Sequence, residues 1–322
     1  MEPRFPSGTR RPARYDMPNT LAHIGVQGAL MRVAHPTVDL KWVLLGLTIP
    51  DLPWILQRLL QTFIVGDAMY DVRLYAVAQS SLFVCAVLCG AVALVATARR
   101  ITFVVLFANS LLHLLLDALQ KKFANGVHVL APLSWKLTNF GLFWPESPVT
   151  VFLTLLGPAV LLYWYLHPSA AAVGLSFESR GRVIAASLLL VAYFALPLPL
   201  MHGAYAADNH SVRTLSEPGD RSGRAVEFDR NRLIADDDHE TLVTFAGESL
   251  RLAGAPDVPS GTVSIRGRFV DDRTVAVAEF HRHADALRDW GSYVGLACVV
   301  LVWGDWIRRS FRARRGGRTR QP

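Results

Sequence analysis

Asn109, His113 and Asp117 follow one another at four-residue intervals inside the apolar run 101–119. On a helix this spacing places an amide, an imidazole and a carboxylate on one stripe. An imidazole and a carboxylate so arranged can ligate one metal ion or share a single hydrogen bond that holds a bundle together. Ionisable groups inside an apolar span are costly and point first to function. His23 and Asp51 belong with them. Asp51 sits in "IPDLPW", where the flanking prolines are expected to end one helix and restrain the next turn, fixing a carboxylate at the end of an apolar segment. His23 opens the apolar stretch "TLAHIGVQGALMRVA" (20–34), where Asn19 or Thr20 can cap a helix. His128 stands just beyond the 101–119 run.

These residues need elements to position them. The chain of 322 residues is 52% hydrophobic and 18% charged, below the quarter or so of charged residues usual in soluble domains. Apolar runs near 76–97, 101–119, 149–166, 183–203 and 290–307 each approach the roughly 20 residues a spanning helix needs. This is the pattern of a multi-pass membrane protein with an α-helical bundle. Two shorter apolar segments, 20–34 and 41–50, read as a helical hairpin packed in the bundle and only partly inserted. Residues 52–65 follow as an amphipathic interfacial helix, with Gln57, Arg58 and Gln61 towards water. A hairpin brings the start of its first helix near the end of its second, so His23 and Asp51 are expected to be neighbours.

Charge sets the orientation. The last run is followed by "IRRSFRARRGGRTRQP", with seven arginines, which predicts a cytoplasmic tail. Alternation then places 208–289 and 120–148 outside and 98–100 and 167–182 inside. Cys85, Cys89 and Cys298 all fall in apolar runs, with no disulfide framework and no Cys-x-x-Cys pair.

Residues 208–289 change character. Sixteen of the 26 acidic residues lie here against eleven arginines. Alternating β-branched stretches separated by turn signals predict four or five short strands, a small OB-like barrel. Its phenylalanines (Phe228, Phe245, Phe269, Phe280) read as core residues, and the acidic balance excludes it as a binder of single-stranded nucleic acid. The "HRH" at 281–283 reads as a polar strand end. The chain thus divides into a basic tail (1–16), a membrane-embedded helical domain (17–206), an extracytoplasmic β domain (207–288), a C-terminal transmembrane helix (289–307) and a basic cytoplasmic tail (308–322).

"MPNTLAH", "PDLP", "HLLLDAL" and "NGVHVLAPLSW" resemble the LexA-binding, inner-membrane-associated family of metal-dependent hydrolases, over residues 17–165. The resemblance implies a hydrolase of the bacterial inner membrane, with His23, Asp51, His113 and Asp117 at its metal site. One element departs from the pattern. Where a His-Arg-Gly-x-Thr-His-Ser stretch is expected, the chain reads "DVRLYAVAQSSLF", with Gln79 in place of the second histidine.

The expected ion is zinc, which leaves a coordination position for water when held by two imidazoles and one or two carboxylates. Asp51 or Asp117 is then the candidate base. Gln79, Asn109, Asn125, His128 and Trp135 are candidates to orient the ligands or a substrate. A site at the outer boundary suits a membrane lipid or lipid-linked substrate. The competing reading is a non-catalytic membrane protein whose barrel binds a protein partner.

Overall fold

The computed structural model describes residues 19–168, 173–236, 239–284 and 286–318. The expected basic N-terminal tail lies outside these residues, as do part of the 167–182 loop and the last residues of the C-terminal tail.

Helix α1 (Thr20–Ala34) begins at Asn19, whose side chain accepts the Ala22 N–H at 3.3 Å. Helix α2 (Leu40–Thr48) begins at Asp39, which accepts from Lys41 N. Pro50 does not end this segment. A 3-10 turn at Ile49–Asp51 carries the chain into α3 (Leu52–Leu60), because Pro50 and Pro53 each fall in a first turn, where no N–H is required. The result is one apolar rod over Leu40–Leu60, 21 residues long. The expected break between a short hairpin arm and an interfacial helix is therefore absent. Gln57, read as facing water, is buried.

The run expected as one span over 76–97 is two helices, α4 (Ala68–Gln79) and α5 (Leu82–Leu94), bent by 67°. Ser80 and Ser81 occupy the break, each hydroxyl bonded back to a carbonyl of α4. Such local bonds compete with the helical ladder. Then come α6 (Arg99–Leu119), α7 (Pro148–Leu166), α8 (Arg180–Ala195) and α9 (Pro197–Ala207). Among the described residues, five helical segments are long and apolar enough to cross a membrane, Leu40–Leu60, Arg99–Leu119, Pro148–Leu166, Arg180–Ala207 and Arg288–Arg312, and the bent α4–α5 pair makes a sixth if counted as one span.

Two glycines set the helix contacts that matter for the site. A Cβ on Gly157 of α7 would stand 2.4 Å from the Leu21 carbonyl oxygen of α1. A Cβ on Gly46 of α2 would stand 2.9 Å from backbone atoms of Leu106 on α6. The backbones pass that closely only because a side chain is missing. Ser110 of α6 secures the second contact by donating to the Gly46 carbonyl at 3.0 Å.

After the short α10 (Val212–Ser216), strands β1 (Ala225–Asp236), β2 (His239–Val243), β3 (Ser249–Ala253), β4 (Gly261–Phe269) and β5 (Thr274–Arg282) form a closed barrel in the order β1-β2-β3-β5-β4. Neighbours are antiparallel except β3 and β5. Register shifts between Phe228 and Asn231 on β1, and Arg230 there has φ 51°. Such a bulge re-aims the side chains around it. Phe228 and Phe269 are buried in the barrel core, with Phe245 and Phe280 packed against it. That core does not stop at the barrel, for Met69, Tyr70, Leu74 and Val77 of α4 belong to the same apolar cluster. Helix α11 (Ala286–Arg318) leads away from the barrel.

Candidate metal centre

Three elements bring the sequence-selected residues together. His23 lies in the first turns of α1, Asp51 in the 3-10 turn and His113 and Asp117 near the end of α6. His23, Asp51 and His113 are buried. The two imidazoles stack, with centroids 4.0 Å apart and planes 13° from parallel. His23 Nε2 is 3.3 Å from Asp117 Oδ1. His113 Nε2 is 3.1 Å from Asp51 Oδ1 and 3.8 Å from Asp117 Oδ2. Ligand atoms of His23, His113 and Asp117 all fall within 4.8 Å of one another. Asp51 adjoins this trio through His113.

The donor set suits a divalent ion. Two carboxylates face a single nitrogen, His113 Nε2, and one N–H can serve only one of them well. A cation among them offsets both charges. His23 is held from behind by Gln27, whose amide lies 3.1 Å from Nδ1. As placed, the amide nitrogen donates to Nδ1 and Nε2 carries the hydrogen towards Asp117; turned end for end, the amide oxygen accepts Nδ1–H and leaves Nε2 a free lone pair. Lys122 supplies an internal counter-charge, its Nζ 3.3 Å from Asp117 Oδ2.

Asp51, His113 and Asp117 open onto a cavity between the helices and the barrel. Lys122, Asn125 and His128 enter it from the loop after α6. Arg58 and Arg73 reach it from α3 and α4, and Glu227 and Asp229 from β1. Gln57 and Gln61 also line it, so the polar stripe expected to face water faces this cavity. His23 stands behind His113 and borders a separate small cavity with Gln120.

The other expected residues divide. Asn125 and His128 line the cavity, and Asn125 donates to Asp229 at 3.1 Å. Asn109 packs against Gly46 and returns its amide to the Val105 carbonyl at 2.7 Å. Gln79 donates to the Tyr193 carbonyl at 3.3 Å, and Trp135 packs edge-on to His128 and against Gly203. None of these three lines the cavity. Three contributors went unflagged in the sequence. Gln27 is four residues from His23, the same spacing that singled out His113 and Asp117. Lys122 lies just past the helix end, and His210 comes from a distant segment to place its Nε2 3.3 Å from that of His128. Burial lowers the pKa of His128 to about 4. Burial, with Arg73 and His128 nearby, holds His210 well below its ordinary value. Both rings are neutral near pH 7.

The chain matches no family model, no curated protein and no solved structure.

Proposed function

We propose that this is a membrane-bound, metal-dependent hydrolase of the LexA-binding, inner-membrane-associated type, acting on a lipid or lipid-linked substrate. The observation that carries the reading is the convergence of His23, Asp51, His113 and Asp117 from three elements into one cluster, with Asp51, His113 and Asp117 on the wall of one cavity. The exposed faces of α7 and α8, with Phe152, Leu155, Leu162, Leu188 and Val191 outward, suit a lipid environment. The site lies at the end of α6 nearest the barrel, where an amphiphile's head group would sit.

When bound, a zinc ion supplies a Lewis acid and a water acidified to about pH 7. The chain's own residues do the rest. His23, His113 and Asp117 would hold the ion, and Gln27, with its amide oxygen turned to Nδ1, would fix the ligating tautomer of His23. Asp51 accepts a proton on the cavity side of His113, which makes it the preferred base. Arg58, Arg73 and Lys122 give the cavity a cationic wall that attracts an anionic head group. The barrel's strand order, closed with β3 parallel to β5, supports an OB-like reading. Its Glu227 and Asp229 close the far side of the cavity.

Metal analysis of the purified protein tests this. Wild type and the Asp71→Ala control retain zinc, while Asp117→Ala loses zinc at this centre together with hydrolysis of phospholipid substrates. Equal zinc in Asp117→Ala and wild type rejects the reading. Lys122 favours a second one. By pairing with Asp117 it offsets part of the site's charge without metal, as suits a non-catalytic protein whose barrel binds a protein partner. Zinc content separates the two.

A further inference from the structure

The alternation of β5 places His281 and His283 on one face of the strand end, and the structure brings a carboxylate to them. Glu146, from the loop preceding α7, sets Oε1 2.5 Å from His283 Nδ1 and Oε2 3.5 Å from His281 Nε2. Ligand atoms of the three residues all lie within 4.8 Å of one another. Trp144 stacks on His281 at 3.6 Å with planes 5° apart, which fixes that ring.

A hydrogen-bond chain determines which nitrogen of His283 points inward bare. Asn125 donates to Asp229 Oδ2, and the Ser264 hydroxyl donates to Asp229 Oδ1 at 2.8 Å. Ser264 Oγ also accepts the Arg230 N–H at 3.0 Å. Having spent its proton on Asp229, Ser264 can only accept from His283 Nε2, 2.7 Å away. His283 Nε2 therefore carries a hydrogen, and a neutral ring presents a lone pair at Nδ1 to a carboxylate oxygen. Two lone pairs in such contact repel, so either a second proton or a metal ion has to join them. An outer hydroxyl and carboxylate that fix the tautomer of an imidazole are the usual surroundings of a ligating histidine. Arg230 completes the outer layer, with Nη1 3.0 Å from Glu146 Oε1. The β1 bulge is what aims both Asp229 and Arg230 at this spot.

We propose that Glu146, His281 and His283 form a second divalent-metal site, of a kind that takes zinc, which clips the loop before α7 to the last strand of the barrel. Two nitrogens and one carboxylate oxygen are a zinc donor set with one position left for water. Its ligand set, Glu146, His281 and His283, is separate from the His23, His113 and Asp117 set. None of its three ligands is proposed for hydrolysis, although Asn125 and Asp229 of its hydrogen-bond chain also line that cavity.

The test uses the full chain in detergent, stripped with chelator, reloaded with zinc and desalted. Glu146→Gln and His281→Ala should each hold about one zinc equivalent less than wild type, as should Asp117→Ala, and the loss should add in Glu146→Gln/Asp117→Ala. His281 is partly exposed, so its replacement leaves the barrel core intact, and an unchanged circular dichroism spectrum verifies this. Cobalt in place of zinc should give a visible d–d band in Asp117→Ala that His281→Ala/Asp117→Ala lacks. Wild-type zinc content in both Glu146→Gln and His281→Ala means that a proton alone bridges Glu146 and His283, and overturns the proposal. A deficit in those variants with none in Asp117→Ala sustains it and rejects the hydrolase centre instead.

Discussion

His23 and His113 stack face to face at 4.0 Å while each turns its Nε2 towards a carboxylate. Two imidazolium rings would repel in this geometry, so at most one ring carries a proton charge and the pair is suited to offering lone pairs. Gln27, whose amide nitrogen is 3.1 Å from His23 Nδ1, can hold the ligating tautomer by turning its oxygen to the ring. Gln27→Ala should weaken zinc binding at this centre by roughly 10–100-fold, read by competition with a chromogenic chelator. Unchanged affinity would make Gln27 a packing residue.

The position of His23 depends on how closely α1 can approach α7. A side chain on Gly157 meets the Leu21 carbonyl, which is backbone and cannot turn aside. Gly157→Val should therefore destabilise the bundle by about 1–3 kcal/mol and lower zinc content at the His113 centre. Gly66→Ala is a poor comparison because Gly66 has φ 77°; Gly181→Ala, with open space around it, should do neither. Thermal unfolding and metal analysis of the variants decide the matter.

Spacing made half of the site legible. Four-residue intervals on α6 and the hairpin logic for His23 and Asp51 led to residues that the structure does bring together. The same interval from His23 to Gln27 carried equal information. Asn109 shows the limit of the rule: it shares the stripe with His113, but Gly46 lets α2 cover it. The prolines around Asp51 misled because Pro in a first turn and Pro at a helix stop look alike in sequence. His210, Asp229 and Glu146 could not be found by interval, since loops and a β-bulge bring them in from afar. The barrel's alternation was plain, but not its sharing of a core with α4.

Arg221 is almost wholly buried, and it joins the barrel to α10. Its guanidinium meets Glu248 at 2.6 Å, while Nε donates to the Thr214 carbonyl at 3.2 Å and Nη1 to that of Asp272 at 2.9 Å. Removing one member of such a pair strands the other and the carbonyls around it. Arg221→Ala should cost about 3–5 kcal/mol, seen as an earlier denaturant midpoint. A shift of under about 1 kcal/mol, as for an exposed pair, would contradict this.

Acid should loosen the join between helices and barrel. His128 has a folded pKa of about 4, against about 6.5 for a histidine in an unfolded chain. Above pH 6.5 neither state is protonated and stability is unaffected. Between pH 6.5 and 4 the unfolded chain takes up the proton first, so stability falls by about 1.4 kcal/mol per pH unit for this one group. His210, also held low with Arg73 facing it, acts in the same direction. His128→Gln should flatten the decline in denaturation midpoint between pH 7 and pH 5. An identical slope in wild type and variant would assign the acid sensitivity elsewhere.

The last prediction concerns which ends of α6 face which side. Its first residues, Arg99 and Arg100, are exposed, and its last turn carries Asp117 beside the barrel. The 21 residues of the helix suffice to cross a bilayer. The arginines after the last apolar helix favour a cytoplasmic tail, which puts the barrel and the site outside and Arg100 within. Single cysteines at Asp271, on an exposed barrel turn, and at Arg100 report this directly in a background lacking Cys298, the native thiol that is not fully buried. A membrane-impermeant maleimide should label Asp271→Cys in intact cells and Arg100→Cys only after permeabilisation. The opposite pattern reverses the orientation and moves the hydrolase site to the cytoplasmic face. Labelling of both from one side means that α6 does not cross, and the head-group argument for a lipid substrate falls with it.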